Sequence, residues 1–230
     1  MKGALIEIEG NWGHFKKPET NNNPLTHDFI TKTAFIGMIG AVLGIERAEM
    51  KPLFPQLSED ICYGVQIRGA VKKESWSFKL RYAENLFGKR PVQMEFLKKP
   101  CYTVALSLHN ERSLQLFDQF VAAVQASEAR FTPVLGLHNC PANLRYIDSG
   151  EVVFVEGDFT TKGFVTEINL PFKISDDFRV GVERVPTFQN DDFWNLPDKY
   201  VRVFYPSEGK EISASGKHYG FRDGSKWALI

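Results

Sequence analysis

Two stretches of this sequence place a histidine beside basic or phenolic side chains, the combination that metal-independent RNA cleavage needs. In such a reaction a histidine or tyrosine is the general base, and a lysine stabilises the developing negative charge. Side chains that are neighbours in sequence seldom converge on one reacting atom, so we expect no catalytic residue here. The two stretches are His14 with Lys16 and Lys17, and His218 with Lys217 and Tyr219.

The remaining candidates for site chemistry argue against metals and cofactors. None of the five histidines forms an HExxH pair, and the three cysteines (Cys62, Cys101 and Cys140) are 39 residues apart. Such spacing gives no CxxC zinc motif and no disulfide framework, and scattered thiols are typical of a reducing cytoplasm. No signal-peptide run precedes the first strand, and the apolar stretch 34–45 is too short to span a bilayer. We expect a cytoplasmic protein with no cofactor, metal or membrane contact.

The loop over residues 11–26 has the side chains that bind nucleic acid. It carries Trp12, His14, Lys16 and Lys17, followed by a polar run at 21–23. Aromatic rings stack on bases, and lysines neutralise phosphates. An ordinary solvated loop with one anchored ring explains the same composition, and both interpretations stay open.

The stretch 26–47 predicts a helix that starts at residues 31–33. Thr31 or Thr33 is the expected N-cap, and Lys32 adds positive charge where the first-turn amides favour an anion. Gly37, Gly40 and Gly44 lie at helical spacing but match neither a Walker loop nor a dinucleotide fingerprint. We expect them to let the helix lie close to a sheet.

Residues 72–99 form the most basic segment, with eight basic and three acidic residues in a chain whose formal net charge is zero. Trp76, Phe78, Tyr82 and Phe87 alternate with these charges, and Gly88 predicts a turn. The segment therefore predicts a long β-hairpin arm, either merely solvated or in contact with nucleic acid. Residues 1–100 carry four net positive charges and the remainder four net negative ones, so a nucleic-acid face belongs to the N-terminal half.

The elements that must position these groups alternate between strand and helix. Strands are predicted at 4–9, 61–71 and 101–109, helices within 26–47 (starting at 31–33) and at 113–126, and a fourth strand at 151–156. This order predicts an α+β fold, a ferredoxin-like or RRM-like domain over 1–156. Residues 132–146 read as a loop. From 157 to 230 we expect a β-rich subdomain with strands at 164–170, 179–185, 200–205 and 226–230.

Several motifs, taken in order, resemble CRISPR-associated protein five, a member of the RAMP superfamily. They lie at residues 11–17, 24–26, 33–44, 91–97, 100–102 and 132–137. The similarity is best to the type I-B, Hmari-like branch, and the usual Tyr-Pro-Phe-Pro entry to the first helix is replaced by Thr26-His27-Asp28-Phe29-Ile30.

The resemblance implies a non-catalytic subunit of the type I Cascade complex. Such a subunit caps the 5′ handle of the CRISPR RNA, contacts the large and backbone subunits, and meets target DNA indirectly. The arm over 72–99 corresponds to a protruding thumb that lies across the guide. One type I-C relative is itself a processing nuclease that uses Tyr, Lys and His, and that triad does not match this chain residue by residue. A metal-independent endoribonuclease acting on repeat RNA is the alternative.

Residue chemistry and resemblance together predict one set of RNA-binding residues. They are Trp12, His14, Lys16, Lys17, Thr31, Lys32, Thr33, Lys72, Lys73, Arg81, Lys89, Arg90 and Gln93.

Overall fold

The computed structural model of the protein describes residues 1–81, 88–174, 178–190, 196–207 and 209–230, with backbone alone at 80, 81, 89 and 174. Its helices are α1 (Lys32–Leu43), α2 (Arg47–Asp60) and α3 (Leu114–Gln125). Its strands are β1 (Lys2–Gly10), β2 (Trp12–Gly13), β3 (Ile61–Ile67), β4 (Lys73–Arg81), β5 (Lys89–Lys98), β6 (Cys101–Leu108), β7 (Ala142–Glu151), β8 (Val153–Thr161), β9 (Val165–Thr166), β10 (Lys173–Ile174), β11 (Val180–Phe188), β12 (Lys199–Pro206), β13 (Ile212–Gly220) and β14 (Lys226–Trp227).

The protein is a mixed α and β fold whose main sheet is antiparallel, with strands in the order β3–β6–β1–β7. Alternate side chains of a strand point to opposite faces. Ala4, Ile6 and Ile8 therefore share one face, where they are buried in the same apolar core as Phe35 of α1 and Phe120 of α3. The strands predicted at 4–9, 61–71 and 101–109 and the helix at 113–126 are confirmed within a few residues.

Helix α1 is capped as the sequence predicts, but its glycines face a different neighbour. The Thr31 hydroxyl accepts a hydrogen bond from the Ala34 amide at 3.2 Å. A Cβ on Gly40 would lie 2.8 Å from the Met50 sulfur of α2, whereas one on Gly37 would meet nothing within 4 Å. The expectation that these glycines approach the sheet is therefore wrong, since the close contact is between two helices.

Helix α2 was not predicted, because Pro52 and Pro55 lie inside it. Each proline lacks an amide hydrogen and normally ends a helix. Here the Glu46 amide donates to the Glu49 carboxylate at 3.2 Å, closing the first turn. Met50 and Leu57 are buried against the main core, and this burial offsets the lost backbone hydrogen bonds.

The fourth strand of the main sheet is β7, not the predicted stretch 151–156. β7 pairs with β1 from Lys2↔Glu151 to Gly10↔Ala142, so part of the expected loop 132–146 is strand. Polar residues such as Asn143 and Arg145 obscure the alternation of apolar and polar residues by which a strand is predicted from sequence. The strongly apolar residues 152–155 lead instead into β8, which pairs with β13.

The C-terminal strands form two further sheets, one of β8, β10, β13 and β14 and one of β9, β11 and β12. Strands were predicted near β9, β11, β12 and β14, whereas β13 was missed. The chain end returns to the main sheet, where Tyr63 and Ile230 exchange backbone hydrogen bonds of 2.9 and 3.0 Å. Phe164, Val203 and Tyr205 belong to the same apolar core as α1.

The predicted arm contains a hairpin, which together with β2 forms a three-stranded sheet, here called the hairpin sheet. β4 and β5 pair from Lys73↔Leu97 to Arg81↔Lys89, and Trp12 of β2 pairs with Lys98 of β5. Phe96 and Leu97 are buried in the main core, so the base of the hairpin is anchored to the body of the protein. The predicted arm residues Tyr82 and Phe87 lie outside the described residues.

Candidate nucleic-acid interface

The base of the hairpin sheet carries an aromatic group under a lysine. The Trp12 and Trp76 rings meet edge to face with centroids 4.4 Å apart, and Trp76 stacks on Phe96 at 4.7 Å. The Lys98 Nζ lies 5.8 Å from the centre of the Trp12 ring and 3.2 Å from the Glu74 carboxylate, which also accepts a hydrogen bond from the Trp76 indole N–H at 3.2 Å. Both tryptophans are half-buried, and Lys72 beside them is exposed. An exposed aromatic edge with adjacent cations is the arrangement that stacks a base and holds its phosphate.

A second cluster joins the polar loop to the hairpin. The Lys16 ammonium donates to the Asn21 side-chain oxygen at 3.1 Å, and the Arg90 guanidinium donates to the Asn22 side-chain oxygen at 2.6 Å. Lys16, Arg90 and the nearby Gln93 are all exposed. These hydrogen bonds are to neutral amides, so both positive charges remain available to an anion.

The structure places His14 in the interior. Its Nδ1–H donates to the Glu95 carbonyl oxygen at 2.7 Å, and its backbone amide donates to the Leu135 carbonyl at 2.9 Å. Burial lowers the pKa of the imidazole, despite the opposing effect of Glu95. His14 is therefore a neutral residue that fastens the loop to β5.

Lys17 is held in an ion pair that reaches the C-terminal part of the chain. Its Nζ lies 2.9 Å from one oxygen of Glu183 on β11, and His27 Nδ1 lies 2.9 Å from the other oxygen. Burial alone would raise the pKa of Glu183, but hydrogen bonds from His27 and Lys17 outweigh it and lower that pKa. The charge of Lys17 is thus already compensated.

Lys73 is similarly committed at the start of β4. Its Nζ contacts the Asp28 carboxylate at 2.7 Å, the Glu95 carboxylate at 3.3 Å and the Thr26 carbonyl at 3.0 Å. Burial opposes the charged form, but hydrogen bonds and charge from Asp28 and Glu95 prevail and raise the pKa of Lys73. Asp28 also accepts a short hydrogen bond from the Tyr205 hydroxyl. Lys73 therefore ties the hairpin base to the loop and, through Asp28, to β12.

The start of α1 holds a buried cation that has no such compensation. Lys32 is 5% exposed, and burial lowers its pKa to about 8, with a smaller lowering by Lys199 and an opposing effect of Cys62. Within the described ranges Lys32 makes no hydrogen bond or ion pair. The Thr31 and Thr33 hydroxyl oxygens are 3.2 Å apart. The described contacts do not join this helix start to the hairpin sheet, so the structure does not bring together all the predicted residues.

Two further predicted RNA-binding residues are Arg81 and Lys89, whose side chains lie outside the described part of the structure. Trp76 and Lys98 belong to the predicted arm but not to the predicted RNA-binding set, although Trp76 and Phe78 alternate with serines and therefore share one face. No sequence signal indicates that this face meets Trp12, because β2 and β4 are about sixty residues apart.

The groups considered for RNA cleavage do not converge around His218. Its ring is buried, stacks on Phe159 at 4.5 Å, and has Nδ1 3.1 Å from the Gly216 carbonyl oxygen. Lys217 and Tyr219 precede and follow it on a strand, so their side chains point to the opposite face.

Among the residues described, histidine, cysteine and acidic side chains do not gather in the groups of three that would hold a metal ion. In the same ranges, no helix has both the length and the hydrophobicity needed to cross a bilayer.

Comparison with known proteins identifies the family. None of the curated proteins is similar in sequence to this chain. A CRISPR protein from Archaeoglobus fulgidus has a similar fold, with a TM-score of 0.58 and 14% identity over 100% of this chain and 99% of that one. A chain of a CRISPR RNA-guided surveillance complex gives a TM-score of 0.56 and 14% identity, covering 93% of this chain and 91% of that one. The family model described as CRISPR-associated protein (Cas_Cas5) matches residues 4–196, and the chain therefore belongs to the CRISPR-associated Cas5 family.

Proposed function

We propose that this chain is a non-catalytic, RNA-binding subunit of a type I CRISPR surveillance complex, of the type I-B (Hmari-like) branch. In this function it caps the 5′ handle of the CRISPR RNA and bridges the large and backbone subunits, and target DNA is reached only through the guide. The single observation that carries the proposal is the hairpin sheet. It places Trp12 against Trp76, with Lys98 over the Trp12 ring and paired with Glu74, and it carries exposed cations such as Arg90.

Two further features support the proposal. The order of elements around the main sheet, with strands β3–β6–β1–β7 and helices α1 and α3, agrees with the ferredoxin-like or RRM-like domain that the proposal assumes. The hairpin sheet would then be the thumb that lies across the guide. A chain of similar fold belongs to a structure titled a CRISPR RNA-guided surveillance complex, which agrees with a role beside guide RNA.

Binding to a repeat-derived 5′-handle RNA tests the proposal. Changing the exposed Lys72 or Arg90 to alanine should weaken binding several-fold and reduce the slope of log K against log salt by about one unit for each lost phosphate contact. Trp12→Leu should weaken binding by roughly 1–3 kcal/mol if a base stacks there. Lys2→Ala is the matched control, because Lys2 is an exposed lysine on β1 paired with Asp118 at 2.7 Å. Unchanged affinity in all three test variants would contradict the hairpin sheet as the RNA site.

Incubation of the pure chain with repeat RNA in EDTA tests the non-catalytic part. We expect intact RNA, because the Nδ1–H of His14 is held by a carbonyl group and His218 is stacked in the interior. Cleavage at a defined position, abolished by either His14→Gln or His218→Gln, would establish the endoribonuclease alternative.

A further inference from the structure

The first half of β8 exposes apolar side chains on both of its faces. Val153, Phe154 and Val155 are 60%, 46% and 40% exposed. Successive strand residues point to opposite faces, so covering one face of the strand cannot bury all three. The Phe154 ring meets Tyr219 across the ribbon of β8 and β13, with centroids 5.5 Å apart. A run of this kind on a protein surface marks an interaction site.

The same segment has a free backbone edge. β8 pairs with β13 along its whole length, from Val153↔Gly220 to Thr161↔Ile212. Within the described ranges no other strand pairs with β8. The opposite row of amide and carbonyl groups is therefore open to an added strand, which would reach both apolar faces at once.

The charges around this edge determine which strand fits. Glu156 and Asp158 of β8, and Glu151 at the end of β7, are exposed beside the apolar residues, and none forms an ion pair within the part of the chain that the structure describes. The exposed Lys217 lies across from Glu156 on β13, along the edge of β8 that is already paired. An antiparallel pair of two copies, centred between Val153 and Phe154, would place Glu151 of each copy opposite Glu156 of the other. Like charges directly opposite destabilise a pair of strands, so the edge disfavours a second copy and favours a basic partner.

We propose that the free edge of β8 binds an extended segment of another protein subunit by strand addition. The segment has apolar side chains at its centre and Lys or Arg at its ends. This inference deepens the subunit-bridging part of the proposed function and rests on it, but it does not depend on how the RNA handle is bound.

Co-expression of the chain with the other subunits of its complex and a guide RNA tests the inference. Native mass spectrometry of the purified complex should show at least tenfold less of one protein subunit for Val153→Asp, with guide RNA still bound to the chain. Val182→Asp on β11 is the matched control, because Val182 is 54% exposed, and it should retain every subunit. Equal subunit content in the two variants would overturn the inference, as would loss of RNA with all protein subunits retained.

Hydrogen exchange in the wild-type complex gives a second measurement that does not depend on a variant folding. Amides in residues 153–158 that face away from β13 should exchange at least tenfold more slowly in the complex than in the free chain. Unchanged exchange, or a free chain that dimerises through this edge, contradicts the inference. A wild-type chain that joins no protein subunit overturns both the inference and the bridging role. Failure of the chain to bind handle RNA, with the Val153→Asp effect intact, removes only the capping role.

Discussion

The hairpin sheet and the β8–β13 ribbon are both antiparallel and both exposed, yet they differ in which side chains they bury and which they expose. In the hairpin sheet the aromatic side chains lead inward to the buried Phe96, and the exposed rim is basic. In the ribbon, Val153 and Phe154 are exposed, and the charged residues that follow them on β8 are Glu156 and Asp158. The first region therefore anchors its aromatic side chains in the core and exposes cations. The second leaves apolar side chains uncovered within the described part of the chain.

The largest expected difference lies in stability. Phe96→Ala removes a ring that is fully buried and in contact with Trp76, Phe78 and His14, so it should lower the free energy of unfolding by about 3–5 kcal/mol. Phe154→Ala on the ribbon should change it by only about 0.5 kcal/mol. Urea unfolding followed by tryptophan fluorescence measures both. Similar losses in the two variants would remove the distinction between an anchored sheet and an open ribbon.

A smaller effect is expected from the charges that fix the hairpin base. Lys73→Met leaves Asp28 and Glu95 without their shared cation, and should cost about 2 kcal/mol, less than a fully buried pair because the Lys73 side chain is one quarter exposed. Glu156→Gln on the ribbon should cost nothing measurable.

The stability lost in the Lys73→Met variant should depend on pH in a defined direction. The pKa of Lys73 is raised in the folded state, so its contribution is complete below the unfolded value of about 10.4 and is lost as pH rises through the folded pKa. Chemical denaturation between pH 7 and 11 should show the wild type converging on the Lys73→Met variant. A difference that stays constant across this range would mean that the Lys73 charge is not what holds the base.

Lys32 is a third case, because its positive charge is buried and has no ion-pair partner among the described residues. Lys32→Met should raise the free energy of unfolding by roughly 1–2 kcal/mol at pH 7, since the charged form is desolvated. The folded pKa of about 8 lies below the unfolded one, so the penalty is present below pH 8 and fades as pH rises toward the unfolded value.

Thermal unfolding at pH 7 and pH 9.5 checks this prediction, and the advantage of the Lys32→Met variant should shrink at the higher pH. A destabilised variant would show that the ammonium has a stabilising role. If the variant is more stable but binds handle RNA less tightly, the cost of burying Lys32 is retained for function.

The smallest expected effect concerns the lysine above Trp12. Lys98→Ala should reduce stability by about 0.5 kcal/mol, because an exposed cation near an aromatic ring contributes little. Its effect on RNA affinity should be smaller than that of Lys72→Ala, because the Lys98 ammonium already pairs with the exposed Glu74 carboxylate at 3.2 Å and must exchange that partner for a phosphate. Lys79→Ala, an exposed lysine on β4, is the matched comparison for the stability measurement.

Much of the main sheet was predictable from local patterns. Alternation marked β1, β3 and β6, and helical spacing of apolar residues marked α3, because these elements bury one regular face. A threonine cap followed by an apolar run with glycines at helical spacing marked α1. The prediction of secondary structure failed where the buried residues do not follow the sequence pattern. The polar β7 pairs at the edge of the main sheet, the apolar residues 153–155 are exposed, and α2 contains two prolines that packing against α1 tolerates.

The candidate site shows the same division. The sequence by itself determined that cations and aromatic side chains concentrate in residues 72–99, that Thr31 is suited to cap a helix, and that the motifs are those of the Cas5 family. Only the tertiary structure decided which charges remain available. Lys17 and Lys73 find carboxylates that are distant in sequence, Lys32 finds none among the residues that the structure describes, and Trp12 meets Trp76 across β5. Composition sets which charges and rings a chain has, but ion pairs and ring contacts form between residues that only the folded topology brings within a few ångströms.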